Sequence, residues 1–158
     1  MPLTPTEVAY FAGLLDGEGS ISLVRSFAAR TRGRYVYPLI RVANTNRDVL
    51  EWVSEKFPVK RSVYVTKSGA RCKDCYHVAW ASNQAIEILK LSLPYLIIKR
   101  KQAELVLGLW EANNRSLAEN GGYFGNGHSI PQVLVKIRET AFKRLQEMNR
   151  RGVNDSVK

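Results

Sequence analysis

Two carboxylates flank a glycine in the run Phe-Ala-Gly-Leu-Leu-Asp-Gly-Glu-Gly at residues 11–19. Asp16 and Glu18 fall near the end of a short helix, where the helix dipole disfavours negative charge by roughly 0.3–1 kcal/mol per group. Earlier in the same helix, Ala9, Gly13 and Gly17 are spaced by four and share a face, with Ala12 beside them. Side chains this small let another backbone approach closely. Two readings are open: the face packs on the chain's own sheet, or it crosses the same helix of a second copy. Only the second accounts for acids at the end of the seam. Crossed helices would bring two Glu18 carboxylates together near a two-fold axis, and like charges that close need cations between them. The chemistry this suggests is hydrolysis assisted by a divalent metal.

Ordinary folding signals position these residues. Thr4-Pro5-Thr6-Glu7 is a capping box with proline at the first helical position, and Leu3 with Val8 can staple it. The helix is expected to run from about 5 to 16 and stop at Gly17 and Gly19. In the strand that follows, Ile21 and Leu23 face one way and Ser22, Val24 and Ser26 the other. After a basic turn containing Arg30, Arg32 and Arg34 comes a second strand, with Val36, Ile40 and Val42 inward and Tyr35, Tyr37 and Arg41 outward. Pro38 argues against that strand being fully paired on both sides. Asn46 or Thr45 caps a helix through Phe57, on which Val49, Leu50, Val53 and Phe57 form an apolar stripe. A second hairpin joins residues 60–67 to a strand at about 75–81 through Ser68-Gly69-Ala70. The phase of Tyr76, Val78 and Trp80 is open, toward the core or outward as a recognition surface. Ser82 or Asn83 begins the next helix. Pro94 precedes a long one whose apolar side is Ala103, Val106, Leu107 and Trp110, and an amphipathic helix spans about 131–149. This order predicts an α+β fold in a single domain, 1–158: a four-stranded antiparallel sheet with helices on one face.

The net charge of +10, from 24 Lys plus Arg against 14 Asp plus Glu, favours a polyanionic partner over a merely solvated basic surface. The free face of the sheet is expected to be unusually basic. No apolar run approaches the roughly 20 residues that span a bilayer. The N-terminus lacks a basic region followed by an apolar core, so the expected setting is soluble and intracellular: cytoplasm or nucleoid in a prokaryote, otherwise an organelle. Cys72 and Cys75 form one C-x-x-C with turn-like Lys73 and Asp74 between them. Only His77 and His128 could complete a zinc set, and His77 is awkwardly close, so a hairpin turn with two thiols is expected. A local disulfide and a weak metal site are the alternatives.

The nine-residue segment at 11–19 resembles the signature of the LAGLIDADG homing endonucleases, without a gap and with both acids present. Phe11 stands for the first leucine, Leu15 for the isoleucine and Gly17 for the alanine. The resemblance implies an αββαββα core whose sheet binds DNA, and a motif helix at a two-fold or pseudo-two-fold interface. Because the motif occurs once, it implies a homodimer with Ala9, Ala12, Gly13, Asp16 and Gly17 at the interface. It makes Glu18 the metal ligand, where many members have aspartate, with the Gly17 carbonyl able to join the metal shell. The cation would be Mg²⁺, or Mn²⁺ or Ca²⁺ in a bound complex. Asp16 matches the acid that supports the turn. The stretch from Pro94 to Gln102 resembles the one that brings a lysine to the cleavage centre, and Lys99 is that residue; a plain phosphate contact is the alternative. Asn44 matches a polar position that organises water, or else is a helix cap. Asp48 falls where relatives can carry a basic residue.

The activity implied is metal-dependent hydrolysis of both strands of double-stranded DNA, with staggered cuts at a long, approximately palindromic site. On the outward face Ser22, Val24, Ser26, Tyr35, Tyr37, Arg41, Tyr64 and Lys67, with the three arginines of the first turn, are the candidate DNA contacts. Arginine there either reads guanine or grips phosphate. No histidine is placed as a general base, so water rather than a side chain is the expected nucleophile. Two rival functions keep the same fold: an intron RNA maturase, and a DNA-binding protein that no longer cuts.

Overall fold

The computed structural model describes residues 3–26, 35–57, 63–67, 73–119 and 130–150. The basic turn with Arg30, Arg32 and Arg34, the turn at 68–70, Cys72 and His128 lie outside them. Helix α1 (Pro5–Glu18) leads into β1 (Gly19–Ser26) and β2 (Tyr35–Asn44), then α2 (Arg47–Lys56), β3 (Tyr64–Thr66) and β4 (Cys75–Ala81). Helix α3 (Asn83–Ser92), a short 3₁₀ turn at Leu93–Tyr95, α4 (Arg100–Glu119) and α5 (Gln132–Met148) complete it. The four strands form one antiparallel sheet in the order β1-β2-β4-β3. This is the expected α+β architecture with an αββαββα core.

The capping box forms as expected. Thr4 Oγ1 accepts from the Glu7 amide at 3.2 Å, and Glu7 Oε2 accepts from the Thr4 amide at 2.8 Å. Lys56 Nζ lies 2.8 Å from Glu7 Oε1, tying α2 to the start of α1. These partners, Lys56 first, hold the Glu7 carboxyl down at about 2. Asn46 rather than Thr45 caps α2, its side chain accepting from the Asp48 and Val49 amides at 3.0 and 3.4 Å. Asp48 sits in that first turn, where its charge suits the helix dipole.

Register separates the two faces of the sheet. Ile21, Leu23, Val36, Ile40, Val42, Val78 and Trp80 are buried beneath the helices, which settles the phase of β4 toward the core. Phe11 of α1 packs on Phe57 and Trp80, with ring centroids 4.2 and 5.8 Å away. The opposite face carries Ser20, Ser22, Val24 and Ser26, matched in register by Arg41, Leu39, Tyr37 and Tyr35.

Four expectations change. Helix α1 continues through Gly17 and Glu18 instead of stopping at residue 16. It ends at Gly19, where a Cβ would lie 2.4 Å from Leu15 Cδ1 and 2.6 Å from the Leu15 carbonyl oxygen. Second, β2 is an interior strand despite Pro38. Its ladder to β4 starts only at Leu39, opposite Ala81, and the Pro38 carbonyl accepts the Ser82 amide at 2.9 Å. The proline thus stands where the missing N–H is least needed. Third, the buried side of α4 is Ala103, Val106, Leu109 and Asn113, with Leu107 and Trp110 only partly covered. Fourth, among the described residues the outward strand positions are mostly serine, alanine and tyrosine. Arg41 supplies positive charge there, while Lys67, exposed just past β3, follows the parity of Val65 rather than of Tyr64. The face is less basic than the composition suggested.

Candidate active site

The end of α1 brings two acids to very different surroundings. Asp16 is 8% exposed, whereas Glu18, and Gly17 between the two acids, are exposed. The Asp16 carboxylate spans the turn before α4. Its Oδ2 accepts from the Ile97 and Ile98 amides at 2.7 and 3.1 Å, and its Oδ1 from the Lys99 amide at 2.9 Å. Those amides lead into α4, whose own first turn holds no acid. Asp16 therefore caps another helix, and the favourable field at the start of α4 offsets the unfavourable one at the end of α1. Asp16 thus supports the turn, as the resemblance implies, through contacts within the protomer.

This cap also positions Lys99. Its backbone is held by Asp16 Oδ1, and Nζ donates to the Asp16 carbonyl oxygen. Burial lowers the ammonium pKa from the ordinary lysine value, while the nearby negative charges of Asp16 and Glu18 pull it back up. Lys99 thus comes to the end of α1, where Glu18 stands, although 81 residues of sequence separate the two. Among the described residues no cluster of three or more His, Cys, Asp or Glu side chains forms. One protomer offers a free carboxylate and backbone carbonyls, all hard oxygen donors of the kind magnesium or calcium accepts. Those donors fit such a cation but do not complete its shell.

Asn44 does not project outward. It lies opposite Tyr76 in register with the core-facing positions, and its Oδ1 accepts from the Asn46 amide at 2.8 Å. The turn into α2 engages this side-chain oxygen, in line with the cap reading of Asn44. The seam is corrected at one position. Ala12 is completely buried in the protomer's own core, whereas Ala9 is partly exposed and Gly13 and Gly17 are exposed. A Cβ added at Gly13 or Gly17 would meet nothing within 4 Å. The protomer's own packing does not require glycine at either place. Beside them Tyr10, 54% exposed, rests edge-on against Trp52 at 5.3 Å.

On the open face of the sheet, Arg41 is exposed and stands between Ser20 and Ala79. Ser22 is half-buried and its Oγ donates to the Leu39 carbonyl at 3.1 Å. Tyr35 and Tyr37 stack at 6.3 Å. On the far side Tyr64 stacks on His77 at 5.0 Å. His77 escaped the sequence reading except as a metal candidate; its place opposite both Ala43 and Tyr64 puts it on this outer face. Strand alternation from Val78 and Trp80 was the signal that could have located it. Cys75 is a free thiol.

An antiparallel sheet open on one side, with a motif helix ending in an acid at its edge, has clear counterparts among solved structures. The fold is that of the LAGLIDADG homing endonucleases. The homing endonuclease I-CvuI, solved with a DNA target, superposes with a TM-score of 0.56 at 21% identity, covering 89% of this chain and 95% of that one. The archaeal intron-encoded homing endonuclease I-Vdi141I, complexed with DNA, gives 0.60 at 19% identity, with 95% and 88% covered. The LAGLIDADG homing endonuclease I-LtrWI, bound to target DNA, gives 0.54 at 18% identity over 87% of this chain but only 56% of its own. No family model matches the sequence, and no curated protein sequence matches it significantly.

Proposed function

We propose that this protein is a site-specific endonuclease that cuts both strands of double-stranded DNA with a divalent metal ion, acting as a homodimer. The carrying observation is the Asp16 cap, which fixes Lys99 at the end of α1 where the exposed Glu18 stands, next to a bare, exposed helix seam. A DNA-binding protein without cleavage has no need to fix a part-buried lysine on the backbone at the end of this helix, where burial works against its charge. The chain covers nearly all of I-CvuI but about half of I-LtrWI. Pairing of two copies is supported by the exposed, side-chain-poor face of Ala9, Gly13 and Gly17 on α1.

Glu18 would hold the cation, with Gly17 offering its carbonyl and the second copy its own Glu18. Mg²⁺ bound there would stabilise charge developing on the scissile phosphate and make water a better nucleophile. Lys99, fixed by Asp16, places its ammonium beside that phosphate and adds to the same stabilisation. Arg41, Tyr35, Tyr37 and Tyr64 lie along the duplex on the open face, and two such faces cover about two turns of DNA. An approximately palindromic target follows from the two-fold symmetry, with staggered cuts at its centre.

The test is Glu18→Gln. The amide keeps the shape of the side chain and removes its charge. Binding to a target selected from a randomised duplex library should survive, while cleavage in Mg²⁺ falls by at least about 100-fold, the scale expected for loss of a metal ligand. Cleavage at the wild-type rate by the purified variant would reject the assignment. Cleavage by neither protein, with specific binding by both, would favour the non-cleaving reading.

A further inference from the structure

Helix α5 packs on the sheet beneath β1 and β2, and it contributes polar as well as apolar contacts. Just past the helix, Asn149 Nδ2 donates to the Ile21 carbonyl at 2.8 Å. Arg25, on β1, lays its guanidinium over Phe142 of α5 at 4.2 Å from the ring centre. Near the start of α5, Arg138 is 4% exposed, an unusual place for a guanidinium. Its Nε donates to Asn113 Oδ1 of α4 at 2.9 Å, and its guanidinium carbon lies 5.7 Å from the centre of the Tyr35 ring. Burial pushes the arginine pKa down, partly countered by Tyr35.

Tyr35 belongs to the outward set of β2 and stacks on Tyr37, the next outward residue. A continuous line of contacts therefore runs from Asn113 in the helical layer, through Arg138, to a tyrosine pair on the open face. At the other end of β2, Arg41 stands beside the residues that follow the motif, since Ser20 is its partner in register. Tyr35 pairs with Ser26, at the end of the β1–β2 ladder remote from Glu18. The guanidinium holds the tyrosine from behind, and a cation over an aromatic face contributes about 0.5–2 kcal/mol according to its desolvation.

We propose that Arg138 is a positioning residue for DNA recognition: by holding Tyr35, and Tyr37 through it, the residue sets base preference at the outer end of each half-site. The inference rests on the sheet reading DNA as proposed above. Arg138 touches no base and acts through the tyrosines. Preference near the centre, where Arg41 stands, is independent of it.

The experiment compares wild type, Arg138→Met, Tyr35→Ala and the double variant. Methionine keeps an apolar stem of similar length but leaves Asn113 Oδ1 without this donor, so unfolding is measured for every variant and discrimination is compared where each is fully folded. Each protein is titrated against duplexes carrying every single-base change in a target selected by the wild type from a randomised library. Arg138→Met should lose about 3- to 10-fold of its discrimination at the outermost positions, the range expected for one lost cation–aromatic contact. It should keep wild-type discrimination at the central positions. In the Tyr35→Ala background the same substitution should change nothing further, since its route to the DNA is gone. In the DNA-free protein, the ring NMR signals of Tyr35 and Tyr37 should shift on Arg138→Met while those of Tyr64 stay. A uniform loss at all positions, or no loss at any, overturns the proposal, as does an undiminished effect in the Tyr35→Ala background. Failure of the wild type to select any duplex overturns the DNA reading itself, and the tyrosine signals then report on the Arg138–Tyr35 contact alone.

Discussion

Lys99 illustrates what a single residue gains from its setting. An exposed lysine is a mobile point charge, but here the Asp16 carboxylate fixes the backbone and the Asp16 carbonyl takes the ammonium. The side chain is thereby fixed at the end of α1. In the proposed reaction such positioning would act on the transition state, where charge grows on phosphate, more than on the initial grip of the duplex. Lys99→Ala should slow single-turnover cleavage at saturating enzyme by about 10²–10³-fold, the loss typical of one pre-organised charge donor. Binding to the same target should change much less. An unchanged chemical rate with a large loss of affinity would instead make Lys99 a phosphate grip. The sequence identified this lysine only by resemblance to a family stretch; its reason for being there, a hydrogen-bonded carboxylate 83 residues earlier, is a long-range contact. Local pattern does not encode such contacts. At Asn44 the contact is local: strand parity turns it toward the helices, and the amide of Asn46 donates to its oxygen.

At the scale of elements, the junction between α1 and α4 is the structural decision on which the site depends. Its sequence signature was two acids at an unfavourable helix end. The structure separates their purposes, one for a neighbouring helix terminus and one for solvent. Elements with strong local signals were legible: the capping box, the Asn46 cap, the alternation of β1 and β2, and the long helices. The boundary of α1 was misread because Gly17 is a poor helix former by propensity, yet it continues the helix so that Glu18 can stand at its end. Asp16→Asn puts an amide nitrogen where the carboxylate accepted three backbone N–H groups. The lost charge-assisted hydrogen bonds should cost about 2–4 kcal/mol in denaturant unfolding. The same variant should lose cleavage as Lys99→Ala does, because the lysine is released with the turn. Wild-type stability for Asp16→Asn would show that the 97–99 turn holds without the carboxylate.

For the whole molecule, the decisive feature is an exposed helix face that the protomer itself leaves unfilled. Within one chain Ala12 packs inward while Ala9, Gly13 and Gly17 line the open side. A glycine in a helix costs about 0.5–1 kcal/mol relative to alanine, so two of them on one exposed face need a reason outside the protomer. In the proposed dimer, a second copy crossing at this face would supply it and would bring the other Glu18 to the centre. Gly13→Leu separates the two possibilities cleanly. A Cβ at Gly13 meets nothing within 4 Å in the protomer, so the monomer should fold with unchanged circular dichroism and gain helix propensity. The crossed helices, however, would be forced apart by the isobutyl group. Sedimentation equilibrium should show wild-type dimer and variant monomer at the same micromolar loading, and cleavage should fall with the dimer. A Gly13→Leu protein that remains dimeric and active would place the interface elsewhere, and an active wild-type monomer would remove the two-fold site altogether.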